Sequence, residues 1–252
     1  MRVYALSCGS LEFDRSLFFP AAQPGTQLVT PVSSYLIVHP RGKVVFDTGI
    51  HCDALTDPVG RLGKRVAGLF AIRSRAGEDV VSQLATLGVR PDDIDFVVSS
   101  HFHFDHCGCN TSFARAAILV QRAEMELARS GRSRYNPKDW DHPLDYRLID
   151  GEHDLFGDGT IVLLPTPGHT AGHQSLWIRA GEGRQFVLTS DAAYTQGHLD
   201  QSILPGNTHD VGEMTHSLSV LRELRDRRGV VLLYGHDAEQ WNSIPHAPQA
   251  LI

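Results

Sequence analysis

Apolar residues along this chain fall into short runs separated by polar turns. Four runs, residues 96–98, 161–164, 186–188 and 230–233, are apolar without polar alternation. A strand with one wet face alternates, so unbroken runs predict strands covered on both faces. Residues 33–39 and 43–47 are β-rich and flank Pro40, Arg41 and Gly42, which predicts a hairpin. Over residues 78–87, Val80, Val81, Leu84 and Leu87 share a helical face, with Gly88 and Pro91 as stop signals. A second helix is expected after Asp210, with Met214, Leu218, Leu221 and Leu224 facing inward and Gly229 beyond its end. Residues 130–145 are polar and turn-rich and read as a surface excursion. Covered strands with helices between some of them predict an α/β layered sandwich. No Pro/Gly/Ser linker or repeat divides the chain, so residues 1–252 are expected to form one domain.

Functional groups of such folds gather where strands end. Each of the four runs is followed within a few residues by a histidine or aspartate: His101, His169, Asp191 and His236. Composition acts here mainly by exclusion. With 23 Lys+Arg against 29 Asp+Glu, the net charge is −6, and no basic block indicates a nucleic-acid partner. No run approaches the roughly 18 apolar residues of a membrane span. Ser7, Cys8, Gly9 and Ser10 interrupt the N-terminal segment before it reaches signal-peptide length, so a cytoplasmic location is expected. The four cysteines read as reduced thiols, too sparse for a disulfide framework.

Residues 99–110 read SSHFHFDHCGCN and place His101, His103, Asp105 and His106 together. Imidazole nitrogen and carboxylate oxygen suit zinc and neighbouring divalent ions. Histidines two apart can chelate one ion, while Asp105 and His106, turned away as a helix begins, chelate another. This HxHxDH pattern resembles the metallo-β-lactamase superfamily. Further pieces follow the family's order: Asp47-Thr48-Gly49, His169 in TPGHTAGH, Asp191 in TSDAAY and His236 in YGHD. The resemblance spans residues 33–237 and implies a four-layer αββα metallo-β-lactamase sandwich with an internal pseudo-twofold. A trace of that duplication is legible where residues 96–101, FVVSSH, line up with residues 186–191, FVLTSD.

The resemblance further implies that His101, His103 and His169 hold one divalent ion, that Asp105, His106 and His236 hold a second, and that Asp191 bridges them. Zinc is the first choice for this sulfur-free set, ahead of manganese, iron or cobalt. Tyr194 and the segment DAAY, together with SHFHFDHCG, resemble the N-acyl-homoserine lactone lactonases and the related pyridoxolactonases. The implied reaction is opening of a lactone ring by a metal-bridging hydroxide, with Tyr194 stabilising the oxyanion and Asp105 assisting the leaving group. The family also implies a homodimer contact. A pyridoxolactonase acting on an aromatic lactone is the nearest alternative. A glyoxalase II-like thioesterase is disfavoured because the sixteen residues after His236 contain no Lys or Arg. A β-lactamase exported to the periplasm is disfavoured by the missing signal peptide, and a silent binding module by the complete ligand set.

Around this set, Asp47 is expected to accept a hydrogen bond that orients a ligand histidine. His173 is expected to be a buried structural residue, and Cys107 and Cys109 to be inert packing. His39, His51, His142, His153, His198, His209, His216 and His246 default to surface or turn positions. Leu17, Phe18, Phe19, residues 69–72 and Phe104 fit either an apolar cleft for an acyl chain or core and subunit interface.

Overall fold

The structure is a computed structural model that describes residues 1–133, 135–181 and 183–252. Its strands in chain order are β1 (Arg2–Asp14), β2 (Gln27–His39), β3 (Gly42–Phe46), β4 (Ala71–Arg73), β5 (Phe96–Val98), β6 (Ala117–Gln121), β7 (Asp145–Ile149), β8 (His153–Asp154), β9 (Ile161–Pro165), β10 (Gln174–Arg179), β11 (Gln185–Ser190) and β12 (Val231–Tyr234). They form a sheet of order β4-β1-β2-β3-β5-β6-β7 and a second of order β12-β11-β10-β9-β8. The expected hairpin is present, with His39 opposite Gly42. From β3 through β5, β6 and β7 the pairing is parallel.

The side-chain period of two explains why the central runs carry no polar alternation. Ala5, Ile37, Val44 and Val98 of the first sheet pack against Leu163, Leu176 and Leu188 of the second in one inter-sheet core. Their neighbours along the same strands face the other way: Leu36, Val45 and Val97 join an outer core, and Val162, Trp177, Val187 and Leu232 join another. Both faces of each sheet are therefore dry. Truncating a fully buried member such as Leu36 to Ala is expected to cost about 2–5 kcal/mol.

Helices supply the two outer layers. In chain order they are α1 (Asp53–Thr56), α2 (Pro58–Leu69), α3 (Val80–Thr86), α4 (Phe104–Cys107), α5 (Arg122–Arg129), α6 (Pro137–Trp140), α7 (Gln196–Gln201), α8 (Val211–Arg228) and α9 (Ala238–Ser243). On the first sheet's outer face lie Val80 and Leu84 of α3, whose start is set by the Asp79 carboxylate accepting from Ser82 N. On the second lie Leu218, Leu221 and Leu224 of α8, which the Asp210 side chain caps and Gly229, at φ 63°, ends. The αββα order expected from the resemblance is the order observed. Among the described residues no helix is long and apolar enough to cross a membrane.

One expectation is corrected. Residues 130–145 are not merely a solvated excursion: α6 buries Trp140 and Asp139, and Asp139 pairs with Arg61 of α2 at 2.5 Å. The polar letters hid this because their partner is about eighty positions earlier in the chain.

Candidate metal centre

The loops that follow β3, β5, β9, β11 and β12 converge, and each brings one piece. Behind β5 the chain bends at Ser100, reaches His103 at φ −70° and ψ 151°, and then turns into the short helix α4. That change of direction sends His101 and His103 one way and Asp105 and His106 the other. His169 arrives on the turn after β9, a turn that rests on α8 at Gly168. A Cβ there would lie 2.2 Å from Met214 N, so only glycine fits.

All seven predicted ligand side chains meet. His101, His103, His169 and Asp191 offer donor atoms within 4.8 Å of one another, and so do Asp105, His106 and His236. His103 Nδ1 lies 2.9 Å from both His101 Nε2 and His169 Nε2. Asp191 divides between the groups: Oδ2 is 3.1 Å from His169 Nε2, while Oδ1 is 3.2 Å from His106 Nε2 and 3.1 Å from His236 Nε2. Asp105 Oδ2 completes the second group at 3.5 Å from His106 Nε2 and 3.7 Å from His236 Nε2. A tetrahedron with metal–nitrogen bonds of 2.0–2.1 Å has edges of about 3.3 Å, within the spread of these separations. His106 Nε2 and Asp191 Oδ1 are buried without a hydrogen-bond partner, and such atoms are costly unless something else satisfies them. The donor set fits two divalent cations.

A ring of outer contacts fixes the orientation of these side chains. Asp47 Oδ2 sits 2.8 Å from His106 Nδ1, as expected, and the same carboxylate accepts from Ser100 N and Ser100 Oγ at 2.7 and 2.8 Å. Asp47 itself holds φ 57°, unusual for a non-glycine residue. Ser190 Oγ reaches Ser100 Oγ at 2.9 Å and Asp47 Oδ2 at 3.2 Å, so Ser100 of FVVSSH and Ser190 of FVLTSD meet at one carboxylate. His236 Nδ1 lies 2.9 Å from the Pro31 carbonyl, which can only accept, so Nδ1 carries the proton and Nε2 faces the site. His173 stands behind the ligands. Its Nδ1 lies 3.1 Å from Thr166 O and its Nε2 accepts from Asp191 N at 3.1 Å. Burial holds its pKa at about 3, so it is a neutral support.

Burial, followed by neighbouring imidazoles, pushes His101 and His103 well below the usual histidine range. Burial also opposes charge on His106 and His236, but Asp191 and Asp105 outweigh it and raise both. Asp191 is held well below the carboxylate range, because His106, His236 and His169 together outweigh its own burial.

The centre forms the floor of a cavity of about 770 Å³. Leu17, Phe18, Leu69, Phe70 and Phe104 line it, as the cleft reading required, together with Tyr135, Tyr194 and Asn207. Phe19 does not; its ring packs at a tilt against His198, centroids 4.4 Å apart. The Tyr194 hydroxyl lies 3.2 Å from His169 Nδ1 and donates to Asn207 Oδ1 at 3.2 Å. Burial raises its pKa well above the usual phenol value. No pattern in the chain singled out Asn207.

Cys107 and Cys109 stay outside both groups and are buried. Burial lifts both thiols, Cys109 to about 12, so neither offers thiolate at neutral pH. Two histidines assigned to surface or turn positions are interior. His39 is buried and stacks on Phe156 at 4.3 Å, and His198 Nε2 lies 2.9 Å from Phe18 O.

The Metallo-beta-lactamase superfamily model matches residues 28–236. The chain is 35% identical over 257 residues, 98% of its own length and 97% of the relative's, to N-acyl homoserine lactonase AttM of Azorhizobium caulinodans. It is 32% identical over 248 residues to N-acyl homoserine lactonase AiiA of Bacillus thuringiensis subsp. kurstaki, 98% of each chain being covered. Among solved structures, an N-acyl homoserine lactone hydrolase with the product N-hexanoyl-L-homoserine at its catalytic metal centre superposes with a TM-score of 0.90 at 31% identity, covering 99% of this chain and 98% of that one. Layer order, converging strand ends and whole-length similarity agree: this chain belongs to the metallo-β-lactamase superfamily.

Proposed function

We propose that this chain is a metal-dependent hydrolase that opens the ring of N-acyl-homoserine lactones. The observation that carries the reading is Asp191, one carboxylate oxygen turned toward each ligand group at the floor of a largely apolar cavity. The whole-length similarity to proteins named N-acyl homoserine lactonases supplies the substrate class.

His101, His103 and His169 are assigned to one ion, Asp105, His106 and His236 to the other, and Asp191 to both. Zinc is the assigned metal, on the nitrogen and oxygen donor set. Two such ions supply an acidified water and a Lewis acid for the lactone carbonyl. The chain's own groups do the rest. Tyr194 keeps its proton at neutral pH and donates it as a hydrogen bond to the oxyanion that develops on the carbonyl oxygen. To do so it exchanges Asn207 Oδ1 for the substrate oxygen, while His169 Nδ1–H continues to donate to the phenol oxygen. As water adds to the carbonyl carbon and the ring C–O bond breaks, Asp105, through the carboxylate oxygen not turned to the second ion, passes the proton given up by that water to the departing ring oxygen. Phe18, Phe70 and Phe104 pack the acyl chain.

A panel of short-chain and long-chain homoserine lactones, an aromatic lactone and an acyl thioester, followed by acid release in a pH-indicator assay, tests the reading. Homoserine lactones should turn over fastest. Hydrolysis of the thioester with no lactone opened would overturn it, and preference for the aromatic lactone would move the assignment to the pyridoxolactonase type.

A further inference from the structure

Glu124, on the first turn of α5, is fully buried and coordinates nothing in the centre, yet its carboxylate accepts four hydrogen bonds. Oε1 accepts from Phe102 N at 3.0 Å and from the Tyr135 hydroxyl at 2.6 Å. Oε2 accepts from the Thr170 hydroxyl at 2.7 Å and from Gly172 N at 3.1 Å. Each oxygen thus holds one backbone N–H, a group that can only donate, and one hydroxyl. The two N–H groups belong to different loops. Phe102 lies between His101 and His103, and Thr170 and Gly172 follow His169. The approach is close: a Cβ on Gly172 would sit 2.2 Å from Glu124 N, so the second loop lies directly on the helix.

We infer that Glu124 is a positioning residue that clamps the two loops carrying His101, His103 and His169 at the separation one ion requires. No other side chain bonds to the backbone of both loops among the hydrogen bonds of the described residues. The second ligand group is held differently, by Asp47 on His106 and by the Pro31 carbonyl on His236, with no bond to Glu124. The clamp acts selectively on one half of the centre. Through the Tyr135 hydroxyl it also fixes a cavity wall, since that ring packs edge-on against His103 at 5.4 Å.

The inference rests on the ligand assignment proposed above, and the zinc-loaded wild type separates the two. If the wild-type protein does not take up two ions, the assignment fails. If it does, Glu124→Gln and Glu124→Ala test the clamp. Gln keeps one acceptor oxygen and turns an amide NH2 toward the other backbone N–H, so one loop is released; Ala releases both. Site-resolved zinc occupancy, from anomalous scattering in crystals or competition with a chromophoric chelator, should show the three-histidine site weakened about 10-fold in Gln and about 100-fold in Ala. The Asp105-His106-His236 site should stay within about threefold of wild type. Thr170→Val and Tyr135→Phe delete only hydroxyl donors and should leave both sites near wild type. Equal weakening of both sites, or unchanged occupancy with a lowered Tm, would reduce Glu124 to a packing role and overturn the inference. Should Ala fail to fold, the Gln variant decides alone.

Discussion

The two halves of the centre are built on opposite electrostatic plans. One consists of three imidazoles, of which burial and mutual proximity push His101 and His103 toward the neutral state that donates a lone pair. Besides contacts of Ser100 Oγ to His101 Nδ1 and of the Tyr194 hydroxyl to His169 Nδ1, its loops are held through the backbone, where Phe102 N and Gly172 N converge on Glu124. The other half contains Asp105 and lies against Asp47, and its two histidines are raised rather than lowered. Its support comes through ligand side chains, with Asp47 on His106 Nδ1. Asp191 is the one group shared. A neutral set and an acidic set sharing one carboxylate give two ions different environments, the condition for them to take different roles.

That comparison is open to test. The largest effect is expected from Asp191→Ala, which should lose both ions and bring lactone hydrolysis to background; metal analysis showing one ion retained at full affinity would mean that the halves are independent. On the proposed mechanism Tyr194→Phe should lower kcat about 100-fold with little change in KM and both ions kept, because it removes the oxyanion donor and only one 3.2 Å contact to His169 Nδ1. Unaltered kinetics would detach Tyr194 from the reaction. Asp47→Asn should weaken zinc at the second half about 10-fold, through His106 Nδ1, and at the first half by less, through Ser100, whose Oγ lies 2.9 Å from His101 Nδ1.

The smallest effect concerns acid. His106 and His236 have raised pKa values, so as pH falls they protonate before His101 and His103, which are lowered. An incoming ion must displace those protons. Affinity at the second half should therefore fall by about threefold per half unit of pH for each proton displaced, while the first half holds to lower pH. Titrations of metal-free protein at a series of pH values would read this, and parallel slopes at both sites would remove the asymmetry.

Much of the centre was legible beforehand because its parts are local. His101, His103, Asp105 and His106 fall within six positions, and the turn between the pairs follows from a helix starting at Phe104. The layers were legible for the same reason: covered strands need apolar residues at consecutive positions, and 161–164 and 186–188 display them. The unread features involve distant partners. Asp139 looked like a surface acid until Arg61 came into view, and His198 looked like a turn residue until it met Phe18 O. Residues 69–72 and Phe104 fitted cleft and core equally, and the cavity placed Leu69, Phe70 and Phe104 on its wall.

By itself the amino-acid order determined the donor chemistry, the strand and helix types and the sheet ends at which function would lie, since these depend on residue type and short-range spacing. Tertiary structure decided what surrounds the donors: Glu124 between two loops, Ser100 and Ser190 on one carboxylate, and Asn207 beneath the tyrosine hydroxyl. Those pairings join residues far apart in sequence, whose approach is set by how two sheets pack. Buried polar atoms must find partners wherever packing delivers them, and no local pattern encodes which partner arrives.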